Sequence, residues 1–196
     1  VQTGADMGTN GNPVTITGCM ACTTPDSQNA WAHDGPEGCC ESRTENDPSR
    51  FTVEVLVPMN AQSYSFQFIV FSAEYPEYVE DVYNDTFYAV VESSALASTM
   101  NVSFAPAAGA ADTLQPMTIN NGYFEDPQTT DISGTDYDND GSSTGWLTTV
   151  APCTPGETLK ITFWIHDEGD HSYDSAVIID NWQWHVNTVD GPVTSK

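Results

Sequence analysis

The sequence predicts an all-β fold: an antiparallel β-sandwich, jelly-roll-like, preceded by an irregular, disulfide-linked N-terminal region. Three observations predict it. From Arg50 onward, apolar and polar residues alternate over run after run, which is the period of a strand with one buried face. These runs are separated by loops of Gly, Pro, Asn and Asp, and no segment keeps a sustained helical period. Four of the five cysteines lie between Cys19 and Cys40, in a stretch with too little apolar content to bury a core of its own.

The elements follow in order. Residues 1–48 read as the irregular, cystine-rich region, with one short strand in "PVTIT", and residues 49–190 as the sandwich domain. "RFTVEVLVP" puts Phe51, Val53, Val55 and Val57 on one face, and Pro58 ends it. "SYSFQFIVFS" alternates Tyr64, Phe66, Phe68 and Val70, and "DTFYAVVES" and "TMNVSFAP" supply further strands. Only "EYPEYVEDVY" hints at a helical turn, and Pro76 limits it. "ETLKITFWIHD" aligns Leu159, Ile161, Phe163 and Ile165. The last long strand, "DSAVIIDNWQWHVNTV", is expected to place Ala176, Ile178, Asp180, Trp182 and Trp184 together on the core face.

With 39% hydrophobic residues, including 8 Phe, 8 Tyr and 5 Trp, the chain has the material for a folded core. Its charge is extreme: 28 acidic residues against 4 basic ones, a formal net charge of −24. That field repels nucleic acid and anionic lipid, whose binding needs Lys and Arg. It also opposes compaction, and divalent cations on clustered carboxylates relieve it. An acidic surface kept for solubility is the competing reading. No apolar run approaches the ~20 residues that span a bilayer, so direct membrane insertion is not expected. A basic start followed by an apolar stretch is also missing, which fits a mature, exported chain at an extracellular or cell-surface location.

Cys19, Cys22, Cys39, Cys40 and Cys153 are the disulfide candidates. Adjacent Cys39 and Cys40 would form a strained ring together, so each is expected to reach elsewhere. One cysteine is left over, as a free thiol or a bond to another chain. A zinc site from Cys19, Cys22, His33 and Cys39 is the alternative, against which the irregular spacing speaks. Trp31, inside this region, is a candidate contact residue.

Three acidic clusters each adjoin a strand end. The first holds Glu74, Glu77, Glu80, Asp81, Asn84 and Asp85. In the second, "TDYDNDG", Asp136, Asp138 and Asp140 alternate ahead of Gly141, a pattern that curls oxygens around one hard cation. It is not an EF-hand, because Leu147 stands where the bidentate Glu belongs, and an Asx-turn loop is the other reading. The third contains Asp167, Glu168, Asp170, Asp174 and Asp180. Placed between Ile178 and Trp182 on a core face, Asp180 would need a metal or an ion-pair partner. Calcium is therefore the expected cofactor. Its candidate ligands are Glu74, Asp85, Asp136, Asp138, Asp140, Asp167, Asp170, Asp174 and Asp180.

Two of these segments together resemble the choice-of-anchor L domain family of bacterial surface and secreted proteins. In "FSAEYPEYVEDVYNDTFYAVV", Glu74, Tyr75, Glu77, Tyr78, Val79, Asn84, Asp85 and Phe87 match the first motif, with Ala73 replacing a Glu. In "TPGETLKITFWIHDEGDHSYDSAVIID", Pro155, Gly156, Glu157, Asp167, Gly169, Asp170, Asp174, Ser175, Ala176 and Val177 match the second, with His166 replacing an Ala. The resemblance runs from Tyr64 to Trp184, leaves the cystine-rich region outside, and implies location rather than activity. "VIIDN" is also similar to the last strand of calcium-stabilised jelly-roll carbohydrate-binding modules.

Nothing demands an enzyme. The four histidines have no HExxH spacing, and no Gly-x-Ser-x-Gly elbow is present. Glu74 with Asp170 or Asp174 would be the pair to test for a glycoside hydrolase, but so acidic a chain always offers some such pair. Trp146, Trp164, Trp182 and Trp184 suit either a core or a sugar-stacking platform. Asn84 and Asn101 sit in N-x-S/T sequons. The expected function is a calcium-binding extracellular module for adhesion or ligand recognition, with a glycan, a peptide or another surface protein as partner. The alternatives are a self-assembling filament subunit and a carbohydrate-active hydrolase.

Overall fold

Alternation becomes strand pairing. The computed structural model describes residues 14–15, 44–79, 81, 83–96, 99–107, 110–124, 132–138, 141–168 and 171–196. In them the strands are β1 (Val14–Thr15), β2 (Thr44–Leu56), β3 (Ser63–Ser72), β4 (Thr86–Glu92), β5 (Met100–Asn101) and β6 (Phe104–Ala107). They continue with β7 (Ala110–Thr118), β8 (Ser142–Ser143), β9 (Leu147–Pro152), β10 (Thr158–Glu168), β11 (Ser175–His185) and β12 (Val193–Ser195). One sheet runs β1-β2-β10-β4-β7-β6 with β5 beside β4; the other runs β11-β3-β9-β12 with β8 beside β3. The pairings are antiparallel. Strand β2 runs through residues 48 and 49, with an irregularity at Asp47 and Pro48, and pairs with β1 at its start.

The inward faces meet in one aromatic core. Tyr64, Phe66, Phe68 and Val70 of β3 are buried, as are Phe87, Ala89 and Val91 of β4 and Leu159, Ile161, Phe163 and Ile165 of β10. Phe66 packs edge-on against Phe163 with centroids 5.4 Å apart, and Phe68 lies 5.2 Å from Phe87. Each such pair adds about 1 kcal/mol beyond the area it buries. The outer face at the end of β3 is buried too. Ile69 and Phe71 pack with Ile132 and Tyr137 in a second small cluster, so the 132–138 segment lies over the sheet rather than projecting into water. A Cβ on Gly141 would come within 2.8 Å of the Ser72 carbonyl, so only glycine lets the loop approach this closely.

Strand β11 departs from the expected parity. Asp180 pairs with Gln67 and Gln183 with Ser65, so Asn181 and Trp182 together oppose a single residue of β3. Asn181 has φ 53°, and the bulge switches the inward parity. Ahead of it Val177 is buried and Ile178 is 51% exposed. Beyond it Trp182 stacks on Tyr64 at 4.8 Å and 9°. Ile178 and Asp180 therefore face solvent, and Trp182 and Trp184 face the core.

Cys153 is a free thiol, buried in the core, and burial and then the nearby Glu157 push its pKa up to about 11. The remaining disulfide candidates, Cys19, Cys22, Cys39 and Cys40, lie outside the described residues, as does Trp31. Both sequon asparagines, Asn84 and Asn101, are fully buried, so the folded chain presents neither for glycosylation. Asn101 has a local reason: its Oδ1 accepts from the N–H groups of Ala89 (3.0 Å) and Ser103 (3.1 Å).

Glu157, of the second motif, is structural. Its carboxylate accepts from Ser93 Oγ (2.6 Å), Ser94 N–H (2.7 Å) and Thr154 N–H (2.8 Å). Burial alone would raise its pKa, but these bonds outweigh it and hold the carboxyl below the usual range. Glu157→Gln is expected to lower stability by about 1–2 kcal/mol at neutral pH. A depressed folded-state pKa stabilises above the unfolded value and is lost as pH falls through the carboxylate range, so the gap between variant and wild type narrows in acid. Urea unfolding at neutral and acidic pH checks both statements.

Candidate metal centre

The acidic segments are carried to one end of the two sheets. Glu74 lies just past β3, Asp85 just ahead of β4, Asp167 near the end of β10, and Asp174 just ahead of β11. Glu74, Asp85 and Asp167 are buried, at 1%, 4% and 1% exposure. Glu74 Oε2 accepts from the Asp85 N–H at 3.2 Å, which closes the loop between β3 and β4. Asp85 Oδ2 accepts from Ser175 Oγ at 2.6 Å, which ties that loop to β11. The two sequence motifs are thus two walls of one site.

Tyr137 joins the second cluster to the other two. Its ring lies 5.5 Å from Phe71, and its hydroxyl is buried with no hydrogen-bond partner among the described residues. Burial first, and then the fields of Asp174, Asp85, Asp136 and Asp167, raise its pKa. Those residues come from all three clusters. The alternating loop therefore turns Tyr137 inward while Asp136 and Asp138 stay exposed, and Asp138 Oδ2 accepts from the Gly134 N–H at 3.0 Å. The Asp138 bond ties its own loop together, four residues back along the chain.

Asp180, expected on the core face, is exposed instead, and its Oδ1 accepts from the N–H of Asn181 at 2.7 Å, so its carboxylate stands in water and needs no metal for burial. Asp140 and Asp170 lie outside the described residues. Among the described residues no three Asp, Glu, His or Cys side chains are grouped so as to hold an ion by themselves.

Asp47 is a member of this end that sequence reasoning missed. Ile165 pairs with Ser49 and Asp167 with Asn46, so Asp47 and Pro48 bulge opposite His166. Asp47 has φ 42° and is 2% exposed, and its Oδ2 lies 2.8 Å from Nδ1 of the half-exposed His171. Asn-Asp-Pro is a recognisable breaker inside a strand pattern and was the available signal.

His166 is buried between Tyr88 (5.7 Å) and Trp164 (5.9 Å), and its Nδ1 lies 3.2 Å from the Asp167 carbonyl oxygen. Burial depresses its pKa from 6.5 to about 4, with the Asp167 carbonyl opposing in part. The ring is neutral at pH 7, so Nδ1–H donates to that carbonyl. In the pH range between those two values the unfolded chain binds the extra proton. The stability from the neutral ring is thus complete above 6.5 and is lost as pH falls toward 4, on the order of 3 kcal/mol in all. His166→Phe is expected to flatten stability against pH from about 7 down to about 5, above the range in which most carboxylates titrate. Equal slopes for variant and wild type in urea unfolding would contradict it.

Facing antiparallel sheets with an acid-lined end define an all-β module. The family model of the choice-of-anchor L domain matches residues 16–183, and the chain belongs to that family. The match begins well ahead of Tyr64, so it takes in most of the cystine-rich region that the two motifs alone leave outside. No curated protein and no solved structure matches the chain. Membership makes it a bacterial surface or exported module, and the family is not one of known enzymes.

Proposed function

We propose that the chain is a calcium-stabilised recognition or adhesion module of the bacterial surface, with the ion held at the acid-lined end. The observation that carries this reading is that Glu74, Asp85 and Asp167, from two separate motifs, are all buried at one end of the sheets, where Asp85 is tied to Ser175 at 2.6 Å. Carboxylates taken out of water need compensation, which bonds such as Asp85 N–H to Glu74 and Ser175 Oγ to Asp85 supply within the protein and to which an ion would add. Two of the chain's few cations are engaged elsewhere, Lys160 with Glu92 at 2.6 Å and Arg50 over the Trp164 ring at 5.8 Å. Calcium suits such a setting because it accepts six to eight oxygens, including neutral ones. Asp85 and Asp167 would contribute carboxylates, with Asn84 and backbone carbonyls as the neutral donors. Asp170, which follows the end of β10, is the residue expected to complete the set.

A hydrolase is disfavoured by the position of Glu74. It is almost fully buried and accepts a backbone N–H, which makes it a strut rather than an acid open to substrate. The test is metal content of the purified protein, followed by thermal unfolding in calcium, in magnesium and in EDTA. Bound calcium, with a melting temperature restored by calcium alone, supports the reading; no metal and indifference to EDTA overturn it.

A further inference from the structure

Away from the acid-lined end, the two sheets do not close against each other. A groove of about 310 Å³ separates the far half of β2 from β11, lined by Val53, Val55, Leu56, Phe163, Trp182 and Trp184. Leu56 is 72% exposed, and Phe51 on the same strand is 41% exposed. Among the described residues, nothing pairs with the outer edge of β2 beyond Glu45, and β11 is likewise an edge strand. The groove thus has an apolar floor and two rims of backbone donors and acceptors, the arrangement that accepts an added strand.

We propose that this groove binds an extended peptide segment of another protein, apolar at alternate residues and carrying Lys or Arg between them. Alternate apolar side chains would enter the groove while the peptide backbone pairs with an open edge. The charged residues would then face outward, toward exposed Glu54 on β2 and exposed Asp180 on β11 and the −24 field of the whole chain. That charge also rules against a second copy as the occupant, since two such chains repel. The four basic residues of this chain, at positions 43, 50, 160 and 196, give it no segment of the required pattern. This names a partner class for the recognition role proposed above and rests on that reading, but it does not depend on calcium.

The test uses a fluorescently labelled decapeptide of alternating Val and Lys, titrated with the full chain at physiological salt and read by anisotropy and tryptophan emission. Saturable binding is expected, at least about tenfold weaker for the alternating Val-Glu peptide and for a Val-Lys peptide N-methylated at alternate residues. Leu56→Ser with Val53→Thr is expected to weaken binding by about tenfold while leaving the fold intact, because neither site is fully buried. Equal binding of an alternating Ser-Lys peptide would show charge attraction alone and overturn the groove. Concentration-dependent dimerisation abolished by Leu56→Ser would overturn the choice of partner. If glycans or other peptides bind and the groove variants leave them unchanged, the groove is overturned while the recognition role stands.

Discussion

In calcium at 100 times its Kd, the chain is expected to gain about 2.7 kcal/mol of unfolding free energy over its metal-free state. For a domain of this length that is roughly 5–10 °C in melting temperature. Asp85→Asn and Asp167→Asn are each expected to abolish most of the increment. Asp138→Asn and Asp180→Asn are expected to leave it in place, because the first carboxylate caps its own loop and the second stands in solvent on the outer face of β11. The sign of the effect in EDTA separates a metal ligand from a structural carboxylate. Without the ion, neutralising one of several mutually repelling buried carboxylates should cost little or even stabilise, so Asp85→Asn is harmful only when calcium is present. Asn retains an oxygen that accepts from Ser175 Oγ, so that bond does not confuse the comparison. Loss of stability in EDTA as large as that in calcium would mark Asp85 as part of the scaffold alone. Differential scanning fluorimetry of the four variants in both buffers decides it.

Inserting one Ala between Asn181 and Trp182 is expected to have the larger effect on folding. The bulge puts Asn181 and Trp182 opposite one residue of β3 and so keeps Trp182 and Trp184 on the core face. One residue more moves every residue beyond Asn181 to the opposite face. Trp182 and Trp184 would turn to solvent and leave the stack on Tyr64 and Phe66, while Gln183 and His185 would turn toward the core. Removing two large aromatics from a core costs on the order of 4 kcal/mol or more, so the insertion variant is expected to be largely unfolded or to aggregate. Deleting Asn181 instead sets Trp182 directly after Asp180 in regular alternation, opposite the same residue of β3, and is expected to be tolerated far better. Asn181→Gly keeps the bulge and accepts the positive φ more readily than Asn. It forfeits only exposed side-chain bonds to Gln67 and Gln183, so its stability should stay within about 1 kcal/mol of wild type. Red-shifted tryptophan emission and loss of the cooperative urea transition are the signatures to measure. An insertion variant with native emission would mean that the strand can slip and recover its register.

Much of the fold was legible because long alternating runs leave little freedom. Phe66, Phe68, Phe163 and Ile165 fall on the core faces that period-2 reading assigns them. The two motifs also pointed to one place, and Glu74, Asp85 and Ser175 are joined there. Asp47, Asp180 and Tyr137 show where reading from sequence stops. Parity counting has no means of registering a bulge, so it put Asp180 in the core and passed over Asp47, which its own bulge buries. In the second cluster the carboxylates drew attention through their spacing, yet the residue between Asp136 and Asp138 is the one that points inward. An aromatic ring gains more from packing on Phe71 than an exposed aspartate loses by staying in water.

By itself, then, the sequence determined strand identity, the aromatic core, the acid-rich loops and membership in an exported β family, all through local alternation and short-range chemistry. Tertiary structure decided which carboxylates meet, which tryptophans turn inward and where an apolar groove stays open. Those outcomes depend on pairing register and on two bulges, set by contacts between residues more than a hundred positions apart, such as Asn46 with Asp167 and Ser65 with Gln183. No local period carries that information.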